Sequence, residues 1–304
     1  MDIVDIVLPL YKPDEKVYNA VNSVINQTYS NWKLYIIDDA SMDGSLACIV
    51  KSYEQYSEKI VYIQMTENKR AAACRNFAIR QGVGKYIAFI DQDDVWVKDK
   101  LKRQIDFINE TDYDAVHGNV NYIDRNGNNI MREECEQENE SRRKIDWANL
   151  AKEELARRLL ITPNIRIISS LIKREAFNRI GGFNDTFFGG EDEIFWFEMA
   201  KSFKIGFLDN TLFHRVIHEK NTSTIYSIQR MSGYIEALKQ IKRKNNNKYF
   251  SNDINLKLKQ KYYSILLTSL KMRKIFMFTK YFLIILFSDP VFLIEKINNS
   301  KARK

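Results

Sequence analysis

The stretch Lys85-Tyr86-Ile87-Ala88-Phe89-Ile90-Asp91-Gln92-Asp93-Asp94-Val95-Trp96 decides how the chain is read. Tyr86–Ile90 is a short apolar run with the length and composition of a buried strand. It stops at three carboxylates packed into four positions. Burying charge is costly, so such a cluster at a strand end calls for a cation or for solvent. In open α/β sheets, ligands bind at the carboxyl ends of the strands. Side chains alternate along an extended segment, so Asp91 and Asp93 are expected on one side. Hard oxygens placed that way suit Mg²⁺ or Mn²⁺. Taken alone, the segment reads equally well as a solvated acidic turn in which Asp94 caps the next helix. Both readings stay open at this point.

Towards the N-terminus the same design repeats. Val4–Leu8 is an apolar run closed by Pro9, Val17–Ile25 has helical apolar spacing, and Leu34–Ile37 is a second run closed by Asp38-Asp39. Ser45–Tyr56 reads as a helix, Ile60–Gln64 as a third strand and alanine-rich Arg70–Gln81 as another helix. Strands separated by helical stretches of about ten to fifteen residues predict βαβ units. The expected fold is therefore α/β, a mostly parallel, Rossmann-like sheet flanked by helices. Downstream the signal is less regular. Gly118–Tyr122 and Ile167–Ile172 read as strands, Arg174–Ile180 as a short helix, and a helix is expected from Glu191 to about Phe203. Arg132–Lys152 is highly charged with almost no core signal, which predicts a mobile loop or an exposed helix.

The 304 residues suffice for a large domain with an appendage, and 45% hydrophobic content allows a real core. The expected division is a body over 1–225 and a basic, aromatic-rich helical region over 226–304. Three widely spaced cysteines, Cys48, Cys74 and Cys135, form neither a disulfide framework nor a zinc pattern. With no secretory signal at the start, a cytosolic location is expected. Of the net charge of +8, residues 239–304 carry sixteen Lys or Arg against three Asp or Glu, a balance of +13 that leaves −5 on residues 1–238. A basic tail on a mildly acidic body points to an anionic surface, nucleic acid or phospholipid. Within that tail Ile275–Ile294 is strongly apolar but broken by Lys280 and Asp289-Pro290. A spanning helix needs about 20 nearly uninterrupted apolar residues, so this stretch suits an interfacial helix, or one packed on the domain or on a second subunit.

Four groups carry chemistry. Asp38-Asp39-Ala40-Ser41-Met42-Asp43-Gly44-Ser45 reads as a turn with a helix cap at Asp43 or Ser45, in which Asp39 has the chemistry to accept from a nucleobase imide. The acidic cluster 91–94 is the second. Gly189-Gly190-Glu191-Asp192-Glu193 opens a helix whose dipole favours acids, with aromatic neighbours that suit a general base. His214-Arg215-Val216-Ile217-His218 holds two of only three histidines; His218 reads either as a structural histidine or, after two apolar residues, as one that could complete a metal shell. Arg75, one turn into its helix, is either a phosphate partner or an ordinary surface charge.

Taken in order, Val7-Leu8-Pro9-Leu10-Tyr11, Asp38-Asp39 with Ser41 and Asp43-Gly44-Ser45, Arg75-Asn76, Asp91 with Asp93-Asp94, and Gly182-Phe183 followed by Glu191-Asp192 resemble the family 2 glycosyltransferases over about residues 3–225. The resemblance implies a GT-A fold and inverting, non-processive transfer of one sugar from a nucleotide diphosphate, most simply a UDP-sugar. It implies that Pro9 and Tyr11 line the base pocket, Asp39 contacts the base, and Arg75 and Asp91 lie near the donor. It further implies Asp93, with Asp91 and His218, as ligands of Mn²⁺ or Mg²⁺, and Asp192 as catalytic base. The acceptor implied is a glycan, expected to be a lipid-linked oligosaccharide in surface polysaccharide synthesis. The enzyme would then work peripherally at the cytoplasmic membrane face, with no nucleic acid partner, and a homodimer through the tail is an open alternative. Two departures stand out. Where relatives often carry glycines after the position of Asn68, this chain has Lys69-Arg70-Ala71-Ala72, and the Gln-x-x-Arg-Trp motif of processive synthases is missing. A sugar-phosphate nucleotidyltransferase would need a Gly-rich loop after the first strand, where Pro9-Leu10-Tyr11-Lys12-Pro13 stands instead. A basic nucleic-acid-binding protein would leave the acidic body unexplained.

Overall fold

The computed structural model describes residues 2–130, 132–162, 165–217 and 227–294. The chain divides into two compact units, Met1–Asp185 with Asp192–Glu219, and Thr186–Glu191 with Lys220–Lys304.

The first unit is built on one eight-stranded sheet in the order β3-β2-β1-β4-β7-β6-β8-β5. Strands β1 (Val4–Leu10), β2 (Trp32–Asp38), β3 (Ile60–Gln64) and β4 (Tyr86–Phe89) are mutually parallel. Their apolar runs are nearly continuous because both faces are covered, as a parallel sheet requires; Ile6, Val7 and Leu8 are fully buried. Helices α1 (Lys16–Ile25), α2 (Ser45–Ser52) and α3 (Arg70–Gln81) make the crossovers. On α1, Val17, Ala20, Val21 and Val24 form the buried stripe and Asn19, Asn22 and Asn26 the polar face. The helix expected to run from Ser45 to Tyr56 ends at Ser52, and a separate 3₁₀ turn covers Glu54–Tyr56.

Beyond β4 the sheet is mixed. β5 (Asp94–Trp96) pairs antiparallel with β8 (Ile205–Val216), which runs parallel to β6 (Ala115–Ile123). β7 (Leu171–Lys173) bridges β4 and β6, antiparallel to both. The strand expected over Ile167–Ile172 is thus a 3₁₀ turn, Ile167–Ser169, followed by a short strand. Helix α4 (Lys100–Glu110) follows β5.

The charged stretch after residue 131 is not a mobile loop. It forms α5 (Glu133–Arg143) and α6 (Lys152–Ile161). α5 docks by polar contacts: Asn139 accepts from Val120 N at 3.2 Å and donates to Val120 O at 2.9 Å. Arg142 is fully buried and donates to Asn139 at 2.8 Å and to Glu138, which Arg166 also clasps through two nitrogens at 2.7 Å. Helices α7 (Arg174–Arg179) and α8 (Glu191–Ser202) complete the set.

In the second unit, helix Ser227–Arg243 packs on helix Ser251–Lys271, which packs on helix Ile275–Ser288. Leu238, Ile254, Ile265 and Ile285 are fully buried between them. Segment Thr186–Glu191 lies against the first of these helices. A Cβ on Gly190, at φ +78, would stand 2.1 Å from the Tyr234 ring, and one on Gly233 would stand 2.1 Å from Phe188 O. Glycine is therefore required at both positions.

Candidate active site

The carboxyl ends of β1, β2 and β4 face a rim of loops tied together by side chains. Gln92 accepts from Tyr11 N at 2.9 Å and donates back to Tyr11 O at 3.3 Å, joining the loop after β4 to the end of β1. Ser41 Oγ accepts from Lys12 N at 2.8 Å, while Ser41 itself donates to buried Asp38, whose other oxygen takes Gln64 Nε2 at 3.0 Å. Asp39 is buried and accepts the amides of Lys69 at 2.6 Å and Arg70 at 2.7 Å, the opening of α3. Two of its lone pairs thus stabilise a helix start, and a carboxylate retains acceptor capacity beyond them.

The same rim stores backbone strain. Lys12, Ala40, Met42 and Arg70 all have φ between 44° and 71°, and Arg273 is the only other non-glycine residue so placed among the described residues. Left-handed backbone is unfavourable for side-chain-bearing residues and gathers where the surroundings force it, often at functional sites. Arg70, within the stretch after Asn68, has φ +71°, a backbone conformation that glycine adopts most readily.

Arg75 joins the two halves of the site. It is no surface charge, since its side chain is 4% exposed. Its Nη2 donates to Asp91 Oδ1 at 2.8 Å and its Nη1 to Asp192 Oδ1 at 3.1 Å. The guanidinium lies 5.6 Å from the Phe183 ring and 5.9 Å from the Phe89 ring, and Phe183 stacks at 4.7 Å on Phe195 of α8. The next residue fixes the geometry: Asn76 accepts from Phe183 N at 3.0 Å and donates to Phe183 O at 2.9 Å and to Asp185 at 3.1 Å. Gly182 (φ +75) permits that approach, because a Cβ there would meet Asn76 Oδ1 at 2.8 Å.

The acidic cluster departs from its expected geometry. Residues 91–94 are not extended, because Asp94 N bonds back to Asp91 O at 3.2 Å and the chain turns through Gln92-Asp93. Strand alternation therefore does not align Asp91 with Asp93. Asp91 faces Arg75, while Asp93 lines a cavity of about 660 Å³ whose walls include Lys16, Asn19, Trp96, Asp124 and Arg125. Nor does Asp94 cap a helix. It opens β5 opposite Arg215, and α4 begins only at Lys100. Asp94 is buried, with Oδ1 lacking a hydrogen-bond partner. Burial first, then Asp93 and Asp91, push its carboxyl well above the usual range, against the pull of Arg215 and Arg166.

This crowding of hard oxygens around an unsatisfied buried one is what a divalent cation would relieve, so the residues present fit such an ion. Among the described residues no three acids, histidines or cysteines close into a complete metal cage. The third expected ligand, His218, lies outside the described residues. Of the remaining expected residues, Pro9 is the half-buried penultimate residue of β1 and Tyr11 is exposed on the rim. Gln92 was not among the expected site residues, although its place inside the acidic motif was the available signal.

Residues 5–181 match the family model described as glycosyl transferase family 2. The chain belongs to that family. This family 2 glycosyltransferase is 38% identical over 108 residues to the putative teichuronic acid biosynthesis glycosyltransferase TuaG of Bacillus subtilis, covering 36% of this chain and 42% of that protein. It is 33% identical over 124 residues to the UDP-Glc:alpha-D-GlcNAc-diphosphoundecaprenol beta-1,3-glucosyltransferase WfgD of Escherichia coli, covering 41% and 48%. The chain thus spans less than half the length of these curated relatives. Its fold superposes on S. aureus TarS 1–349 in complex with UDP-GlcNAc (TM-score 0.63, 19% identity, 87% of this chain and 73% of that one). It also superposes on the mannosyltransferase PcManGT from Pyrobaculum calidifontis in complex with GDP-Man and Mn²⁺ (TM-score 0.61, 16% identity, 99% and 80%). The family 2 glycosyltransferase assignment sets the nucleotidyltransferase reading aside.

Proposed function

We propose that this glycosyltransferase moves one sugar, with inversion, from a UDP-sugar to a hydroxyl of a lipid-linked glycan at the cytoplasmic face of the membrane. The observation that carries the reading is Arg75, a buried guanidinium that holds Asp91 on the donor side and Asp192 on the acceptor side of one site. Pro9, Tyr11 and Asp39 receive the nucleobase at the strained rim. Asp192, aimed by Arg75, takes the proton of the acceptor hydroxyl as that oxygen attacks the anomeric carbon. The bond to the diphosphate breaks on the opposite face, which inverts the configuration. Held by Asp91, Asp93 and His218, a Mn²⁺ or Mg²⁺ ion would neutralise the leaving diphosphate. The cavity bounded by Asp93 has amide and charged walls suited to a hydroxyl-rich ligand and lies within the usual size range of about 300–1,000 Å³ for such sites. The similarity to TuaG, a putative teichuronic acid biosynthesis enzyme, and to WfgD, which acts on a diphosphoundecaprenol-linked sugar, supports a lipid-linked polysaccharide acceptor.

The test is Mn²⁺-dependent hydrolysis and transfer across a panel of nucleotide sugars. Asp93→Asn should abolish metal-stimulated turnover. Asp192→Asn should suppress transfer more than donor binding measured by calorimetry. Intact turnover in both variants would sink the assignment.

A further inference from the structure

The second unit carries an exposed surface that the transfer chemistry does not use. Helices Ser251–Lys271 and Ile275–Ser288 form a hairpin, and every residue from Leu270 to Phe276 at its tip is exposed. These include Met272, Ile275 (77%) and Phe276 (83%). From Phe276 the apolar exposure continues along one side of the last helix. Leu283 and Phe287 (82%) lie seven and eleven residues on, close to whole turns of an α-helix, so the three side chains share a face. Exposed cations border it at Lys271, Arg273, Lys274 and Lys280, and no Asp or Glu occurs from 271 to 288.

Isolated exposed apolar residues need no explanation, but an exposed apolar tip and helix face that carry charge of one sign only, with Lys280 between Phe276 and Leu283, do. The helix has 14 residues, roughly 21 Å at 1.5 Å per residue, too short to cross a bilayer core of about 30 Å. No helix among the described residues is long and apolar enough to cross one. An exposed apolar helix side with cations at its end can lie in the interface plane, the apolar side chains down and the cations at the headgroups. A two-fold contact with a second copy would bring the same cations against one another, since such interfaces pair identical surfaces. An anionic headgroup layer complements them.

We propose that the hairpin tip Leu270–Phe276 and the Phe276, Leu283, Phe287 face dock this protein on an anionic phospholipid surface. The proposal deepens the reading of a membrane-borne acceptor, and it is measured without donor or acceptor, so either can fail alone. The experiment is flotation of the full chain with vesicles of pure phosphatidylcholine or of phosphatidylcholine mixed with phosphatidylglycerol, over a salt series. Binding is expected only to the mixed vesicles and should weaken as salt rises. The double substitution Phe276→Glu and Phe287→Glu should lower partitioning at least about tenfold. Because both side chains are exposed, the thermal melting and nucleotide-sugar hydrolysis of that variant should match the parent. Arg273→Glu with Lys274→Glu should weaken binding and flatten its salt dependence. Equal flotation of the Phe276→Glu, Phe287→Glu variant, or no flotation of the parent on anionic vesicles, overturns the proposal. So does a parent dimer, by light scattering, that the Phe276→Glu, Phe287→Glu variant breaks into monomers, because a second copy would then own the surface.

Discussion

Glu138 offers the sharpest test of the physics that holds α5 on the mixed half of the sheet. Burial alone would raise its carboxyl, but hydrogen bonds and charge from Arg166, then from Arg142, outweigh burial and bring it down to about 2 from an ordinary 4.5. A depressed carboxyl contributes stability that is complete above the unfolded value and is lost as pH falls through the folded one. A gap of roughly 2.5 units corresponds to about 3 kcal/mol at neutral pH. The window is therefore about pH 4.5 down to about 2. Other carboxylates titrate over the same range, so the quantity to measure is the difference between the parent and Glu138→Gln. Urea unfolding should show the variant weaker by about 3 kcal/mol at pH 7, in line with removing one partner from a buried charge group. That gap should close towards zero as pH approaches 2, where the parent's own Glu138 is protonated. A gap below about 1 kcal/mol at pH 7, or one that stays constant between pH 7 and pH 3, would refute the reasoning. The cause would then be lost packing rather than charge.

Arg75→Lys keeps the charge but cannot fork to Asp91 and Asp192. Transfer kcat should fall about a hundredfold, with donor KM moving less, and a loss under twofold would remove Arg75 from the mechanism. At the strained start of α3, Arg70→Val should be less stable than Arg70→Gly by about 1–2 kcal/mol in thermal unfolding, because β-branching opposes left-handed backbone. Equal melting of the two would deny that strain. Gly190→Ala combines φ +78 with a Cβ driven into Tyr234, whereas Gly44→Ala has φ +79 and open space around it. The first should cost about 2–4 kcal/mol and the second about 1, and similar costs would show that the clash relaxes freely.

The first four strands and three helices were legible because a parallel sheet covered on both faces writes its strands as uninterrupted apolar runs. Of the later elements β6, α7 and α8 were read close to their observed bounds, while β5, β8 and α5 were not. β5 has three residues and begins with a buried Asp94, which looks like a turn in sequence. β8 passes through register shifts against β6 and alternates irregularly between buried and half-buried positions, so no period of two survives. α5 hides best, since its buried face is Cys135, Asn139 and Arg142, and a polar face carries no apolar stripe. At the site, types were legible and partnerships were not. Arg75 reaches Asp192 across 117 positions, and Asn76 reaches Phe183 across 107.

Those long-range partnerships share one design. At each, a planar amide or guanidinium grips two groups at once: Gln92 the N–H and C=O of Tyr11, Asn76 the N–H and C=O of Phe183, and Arg75 two carboxylates on separate elements. Two bonds from one rigid plane fix orientation as well as distance, which a single bond or an apolar contact does not. Transfer between two bound sugars demands that control, because misplacing the reacting atoms by about 1 Å can cost a hundredfold in rate. The adjacent pair Arg75-Asn76 on α3 thus sets the loop at Phe183 and Asp185 and the carboxylate at Asp192 from one helical turn. A shift of α3 would move both together, and the spacing of Phe183 from Asp192 would survive small motions of the loops around them.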